Sequence, residues 1–199
     1  MVPDDGRGVV LFAHGGGSSR HSPRTCYVAG QLSAAGLATP LVDLLTADEE
    51  AADAHTGRLR FDIGLLADRL AHASDWLDGE ASTASLALRY FGASTGGGAA
   101  LVAASRRPDV VRAVVSRGGR PDLAGAALSR VRAPTLLIVG GDDPPVIGMN
   151  RSALAELLGE KQLAIVPGAS HLFEEPGTLE EVAQLAVTWF GRWLSGGDG

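Results

Sequence analysis

The sequence predicts an α/β protein built on a doubly wound, mostly parallel sheet of about six strands with helices on both faces. Three observations carry that expectation. Short apolar runs of strand length alternate along the chain with longer stretches whose apolar residues recur at helical spacing. Strands joined through helices run parallel, and a parallel sheet is covered on both faces. The chain has 199 residues, enough for one domain with a sizeable core and too few for two ordinary ones, so a single domain over 1–199 is expected.

The elements read off in order. GVVLFAH (8–14) is a buried strand, and SPRTCYVAGQLSAAG (22–36) is a helix with Ser22 as N-cap and Pro23 at its first position. LATPLVDLL (37–45) is a second strand. TADEEAADAHTG (46–57) is the most polar segment and reads as a solvated loop, at most a small cap. FDIGLLADRLAHASDWL (61–77) has helical periodicity, ASLALRYFG (84–92) is a third strand, and a helix of small residues follows over about 94–105. VVRAVVS (110–116) is a strand, DLAGAALSR (122–130) a short helix and APTLLIVGG (133–141) a strand. IGMNRSALAELLG (147–159) is a helix, KQLAIVPG (161–168) the last strand and TLEEVAQLAVTWFGRWL (178–194) the last helix. Right-handed crossovers bring the loop after each strand to one sheet edge, which is where ligands bind in such folds.

Composition narrows the class. Apolar content of 45% with 20% charged residues reads as globular, and no apolar run is long enough to span a membrane. The opening MVPDDGRG lacks the basic and apolar regions of a secretory signal. Cys26 is the only cysteine, so no internal disulfide forms and a reducing, cytoplasmic setting is expected. A net charge of −6 argues against nucleic acid as a partner. Lys161 is the only lysine. Either the composition of the genome favours arginine, or some arginines grip an anionic substrate.

The stretch YFGASTGGGAA (90–100) holds the spacing Gly92-x-Ser94-x-Gly96 between a strand and a helix. A tight strand-to-helix turn there would expose the serine oxygen above the sheet and hold Ser94 at positive φ. Small residues are needed because strand and helix backbones come close, and Gly92, Gly96, Gly97 and Gly98 supply them. A phosphate-binding loop would need a lysine, and a dinucleotide fingerprint a different order of glycines.

A serine needs a base and a group that orients the base. Of five histidines, His21, His55 and His72 follow no strand and His14 ends the first, whereas His171 sits a few residues beyond the last strand at the expected edge, in IVPGASHLFEEPG. The acid should follow a strand between the two, where LLIVGGDDPPV offers Asp142 and Asp143, one of them a turn or cap residue. AHGGGSS follows the first strand, and its glycines allow close approach to a substrate oxygen. The oxyanion donors expected are the N–H groups of Thr95 and Gly16, with Gly17 as substitute. His14 braces this loop. Arg20, Arg24, Arg117 and Arg120 lie near the same edge. Arg117 or Arg120 lines the pocket for an acidic substrate group, or else ties loops together.

With these pieces placed, the chain resembles the α/β-hydrolase superfamily and, within it, the small capless dienelactone hydrolase-like group. Some members of that group are fused to phosphoribosyltransferase domains. The likeness runs from VVLFAHGGGSSRHSPR through YFGASTGGGAALVAA, VVSRGGRPDL and PTLLIVGGDD to VPGASHLFEEPG. It implies a minimal hydrolase core and a triad of Ser94, His171 and the Asp142/Asp143 pair. The superfamily often sets its acid fourth in a Gly-x-x-Asp segment, which selects Asp143. Pro144 adds a reason, since it disfavours helical backbone at the residue before it. Dienelactone hydrolases proper use a cysteine nucleophile, whereas this chain has Ser94, and Cys26 lies on the first helix. The resemblance therefore implies a serine carboxylesterase acting on a small-molecule ester, with no cofactor and no metal, as a monomer or homodimer. A lactone or thioester hydrolase, a perhydrolase, and a non-catalytic binding module on the same scaffold are the alternatives.

Overall fold

The computed structural model describes residues 6–194. Six parallel strands form one sheet in the order β2-β1-β3-β4-β5-β6: β1 (Val9–Ala13), β2 (Leu41–Val42), β3 (Leu88–Ala93), β4 (Val111–Arg117), β5 (Thr135–Gly140) and β6 (Lys161–Val166). The chain steps outward from β1 to β2, then crosses back to β3 on the other side. The order therefore reverses between β1 and β3, and a crevice opens there at the carboxyl ends of the strands.

Six α-helices complete the described residues: α1 (Pro23–Ala34), α2 (Ala47–Thr56), α3 (Ile63–Gly79), α4 (Thr95–Arg106), α5 (Pro144–Glu156) and α6 (Thr178–Arg192). Strand side chains alternate between two cores. Val10, Phe12, Phe91, Val115 and Ile138 pack against α1 and α6 through Val28, Leu32, Val182 and Phe190. Leu11, Tyr90, Val114 and Leu137 face α3, α4 and α5 through Leu66, Leu70, Leu101 and Ala153. Both faces of β1, β3, β4 and β5 are thus buried, which is why these strands read as continuous apolar runs. Among the described residues no helix is long and apolar enough to cross a membrane.

Arg89 is the exception inside this core. It is fully buried and donates to the Ala87 and Trp193 carbonyls, so its cation closes the C-terminal end of α6. Burial, then the nearby Arg112, push its pKa down to about 10.

Three expectations are corrected. The predicted second strand shrinks to Leu41–Val42, with a further bridge between Val9 and Ala38, because β2 is an edge with one neighbour only. Residues 122–130 lie in 3₁₀ turns spanning Pro121–Arg130 and broken at Gly125, which has φ 49°. Most notably, the polar segment 46–57 is a helix. Thr46 Oγ1 accepts from Glu49 N–H, Glu49 Oε2 accepts from Thr46 N–H at 2.8 Å, and Gly57 ends the helix at φ 63°. Three acidic residues in the first turn complement the helix dipole.

Arg69 of α3 clamps that helix by donating from Nη2 to Glu49 Oε1 at 2.6 Å. The Arg69 hydrogen bond and the Thr46 N–H bring the Glu49 pKa down from 4.5 to about 2. A carboxyl lowered on folding adds stability that is complete above its unfolded value and is lost as pH falls through the folded one. We therefore expect Glu49→Gln to lower the melting temperature at pH 7. The gap to wild type should narrow steadily as pH drops from 4.5 towards 2. A constant gap across thermal melts in that window would mean the carboxylate is not the source.

Candidate active site

The loops after β1, β3, β4, β5 and β6 converge at the strand carboxyl ends. β3 runs straight into α4 through Ser94, which takes φ 50° and ψ −122°. Such a backbone strains a residue that carries a Cβ, and three main-chain bonds hold it. Ser94 N–H donates to Arg117 C=O at 3.2 Å, while Ser94 C=O accepts from Gly97 N–H and Arg120 N–H, both at 3.0 Å. The glycines answer to contacts as close. A Cβ on Gly92 would stand 2.5 Å from Gly96 O, and one on Gly96 would fall onto Ala13 O and 2.7 Å from His14 O.

His171 and Asp143 meet directly. Asp143 caps α5 at φ −119° and ψ 66°, outside the helical region as Pro144 requires. Its Oδ2 lies 2.7 Å from His171 Nδ1, with the carboxylate side chain 14% exposed and the imidazole 39%. Two backbone bonds stitch these loops together, Asp142 N–H to Ala169 C=O at 3.0 Å and Gly141 N–H to Val166 C=O at 2.8 Å. Asp142 itself is exposed at this turn. Glu175 Oε2 accepts from Ser170 N–H at 3.0 Å, which pins the histidine loop from its other side. The Ser170 side chain, then this N–H, hold the Glu175 carboxyl below its usual range.

Ser94 and His171 share a neighbour rather than a hydrogen bond. Gly118 follows Arg117, the residue bonded to Ser94 N–H, and lies against His171, whose Cε1 would be 3.6 Å from a Cβ there. Gly118 has φ 50°, so the chain turns sharply enough to leave room for the ring.

The glycine loop departs from expectation at one atom. Gly16 N–H donates to Thr95 Oγ1 at 3.2 Å, so this amide is engaged by a side chain. Gly17, at φ 73°, is exposed and lines a cavity of ≈ 490 Å³ together with Ser18, His21, Arg24, Leu45 and Arg60. His14 is buried behind the loop, with Nδ1 2.9 Å from Gly15 O and Nε2 3.3 Å from Asp43 Oδ1, and it braces the loop.

The arginines act mostly as ties. Arg120 forms a bidentate pair with Asp122 at 2.9 and 2.7 Å, the carboxylate tie that was the alternative to lining the pocket. Arg117 is 8% exposed and stacks over the Phe173 ring at 5.7 Å, two residues past His171. Burial, then Arg24, lower its pKa to about 10. Arg20 pairs with Asp43, and Arg24 reaches Glu174 at 2.6 Å.

Arg60 carried no expectation. Its side chain packs beside the exposed Gly16, where a Cβ would come within 2.5 Å of Arg60 Cβ, and its Nε donates to the buried Asp53 at 2.6 Å. Helix α2 supplies Asp53, so reading 46–57 as a loop hid the pair. Among the described residues no three His, Cys, Asp or Glu side chains converge as metal ligands would.

The family model for the dienelactone hydrolase family matches residues 8–193. A crystal structure of a dienelactone hydrolase from Anabaena variabilis is 63% identical, covers 98% of this chain and 90% of its own, and superposes with a TM-score of 0.95. Est1E from Butyrivibrio proteoclasticus, with ferulic acid bound, shares the fold at 14% identity and a TM-score of 0.79, over 98% of this chain and 93% of its own. A Mycobacterium tuberculosis protein, whose name proposes a phosphoribosyl transferase, is 60% identical over 195 residues. That match takes in 98% of this chain and 43% of the relative, so the chain spans less than half the length of the curated relatives it matches.

Packing at the Ser94 turn makes a direct prediction. Gly96→Ala would drive its methyl group into the Ala13 carbonyl, where only backbone can yield. Overpacking of this kind destabilises by about 1–3 kcal/mol. Urea unfolding should show a lower midpoint with an unchanged slope, whereas a wild-type midpoint would contradict the tight fit.

Proposed function

The chain belongs to the dienelactone hydrolase family, and from that membership and the Ser94 turn we propose that it is a serine hydrolase cleaving carboxylic esters of small, short-acyl substrates through an acyl-enzyme. The observation that carries the reading is a strained Ser94 at φ 50° beside a His171–Asp143 hydrogen bond of 2.7 Å. Strain of this kind persists only where the surroundings enforce it, and here it presents a hydroxyl at the crevice.

The chemistry follows from these positions. His171 takes the Ser94 proton as the oxygen adds to the ester carbonyl, and Asp143 fixes the imidazole through Nδ1 and stabilises its cation. The alcohol leaves with the proton that His171 held. Water, activated by the same imidazole, then releases the acid. Thr95 N–H, at the first position of α4, has no acceptor within the helix and serves the oxyanion. Among the described residues the connections past the strand ends hold no long apolar segment that could act as a lid, which suits short acyl groups better than long lipid chains. Phosphoribosyl transfer, named for a longer relative, is not assigned to this chain.

A fluorophosphonate probe should label Ser94 in the folded protein and fail on Ser94→Ala. An unlabelled wild type would end the hydrolase reading. Removing the acid's charge in a well-studied protease triad lowers turnover by about 10⁴. Asp143→Asn should lose activity on that order on one short ester, and Asp142→Asn far less. The reverse ranking would move the acid to Asp142. Across a series of esters, rate should fall as the acyl chain lengthens, and preference for long triglycerides at an oil interface would contradict the open site.

A further inference from the structure

We propose that the second donor to the oxyanion is the side-chain hydroxyl of Thr95, with the Gly16 amide standing behind it. This rests on Ser94 being the nucleophile of ester hydrolysis. Gly16 N–H donates to Thr95 Oγ1 at 3.2 Å, a contact between residues 79 positions apart. That bond uses a lone pair on Oγ1 and leaves the hydroxyl hydrogen to point elsewhere. Thr95 is 3% exposed, and its hydroxyl donates to no protein acceptor among the described residues.

The surroundings identify what that hydrogen serves. Gly15 presses on the nucleophile, since a Cβ there would lie 2.8 Å from Ser94 Cβ and 3.5 Å from Ser94 Oγ. Thr95 Oγ1 therefore sits in the same narrow space, between the Gly15–Gly16 backbone and the first turn of α4. When Ser94 Oγ adds to a carbonyl carbon, its proton passes to His171 and the carbonyl π pair moves onto oxygen. That oxygen accepts hydrogen bonds from Thr95 N–H and Thr95 Oγ1–H, and both donors keep their protons. Collapse restores the carbonyl and expels the alcohol. Negative charge on the oxyanion polarises the hydroxyl, which then binds Gly16 N–H more strongly, by roughly 10–30% for each bond in such a chain. Thr95 is on this account a catalytic residue through its side chain as well as its main chain.

A competing arrangement uses the same contact with the opposite sign. If Thr95 Oγ1 merely covered Gly16 N–H, deleting the hydroxyl would free the amide and preserve or raise the rate. The experiment compares Thr95→Val, Thr95→Ala and Thr95→Ser with wild type on one short-acyl ester. Fluorophosphonate inactivation rates and thermal melts are followed in parallel. Loss of one oxyanion donor lowers kcat by about 10²–10³, so Val and Ala variants should fall by that order with KM little changed. Thr95→Ser, which keeps the hydroxyl, should recover most of the rate. Phosphonylation of Ser94 should slow in the same order, because the phosphoryl oxygen occupies the oxyanion position. Val or Ala variants turning over at or above the wild-type rate would overturn the proposal. So would a Ser variant as slow as the Val variant when both melt like wild type. A wild type that is neither labelled nor active would instead bring down the hydrolase reading, and this donor with it. Clean labelling of wild type with unaffected Thr95 variants removes the donor alone.

Discussion

The close approach of α4 to the ends of β1 and β3 is the constraint on which the rest of the site depends. Ser94 holds φ 50° only because its amide and carbonyl are taken by Arg117, Gly97 and Arg120, and because no side chain intervenes at Gly92 or Gly96. The same approach brings the first turn of α4 under the Gly15–Gly16 loop. It also puts β4 beside Ser94, and Gly118 at its end meets His171. One backbone packing problem, solved with glycine, thereby positions Ser94, the glycine loop and the histidine loop together.

Charge is used here mainly to hold loops. Arg69, Arg60, Arg24 and Arg120 each bind a carboxylate on a connecting segment or on α2. Exposed pairs of this kind contribute little to stability alone. Arg60 differs, because its partner Asp53 is buried and its own stem packs beside Gly16. Arg89 and Arg117 have no carboxylate partner among the described residues. One closes α6 through carbonyls, and the other lies on Phe173, which is itself held at φ 57°. The four arginines near the site edge, Arg20, Arg24, Arg117 and Arg120, are thus each engaged within the fold.

Much of this was legible in the primary structure. Apolar runs at strand length marked all six strands, but the run at 37–45 overstated β2, whose short edge pairing depends on a neighbour that periodicity does not register. The order of Ser94, Asp143 and His171, each just past a strand, placed all three at one sheet edge before any distance was known. Helix α2 was missed because its interior is alanine and acid, so no apolar stripe announces it. The signal that was present is local: Thr46 and Glu49 at capping-box spacing, with Gly57 to end the helix.

By itself, then, the sequence determined the layered α/β architecture, the glycine turn around Ser94 and the non-helical backbone at Asp143, since each follows from residues close together in the chain. Hydrophobic period, the φ freedom of glycine and the restriction before Pro144 are local properties that need no partner. Tertiary structure alone decided which polar atoms meet. Thr95 Oγ1 takes the Gly16 amide across 79 residues, Arg60 packs beside a glycine it shares no motif with, and Arg24 reaches Glu174 across 150 residues. A hydrogen bond is satisfied by whichever donor and acceptor the packed cores bring within about 3 Å, and no spacing along the chain encodes that distance.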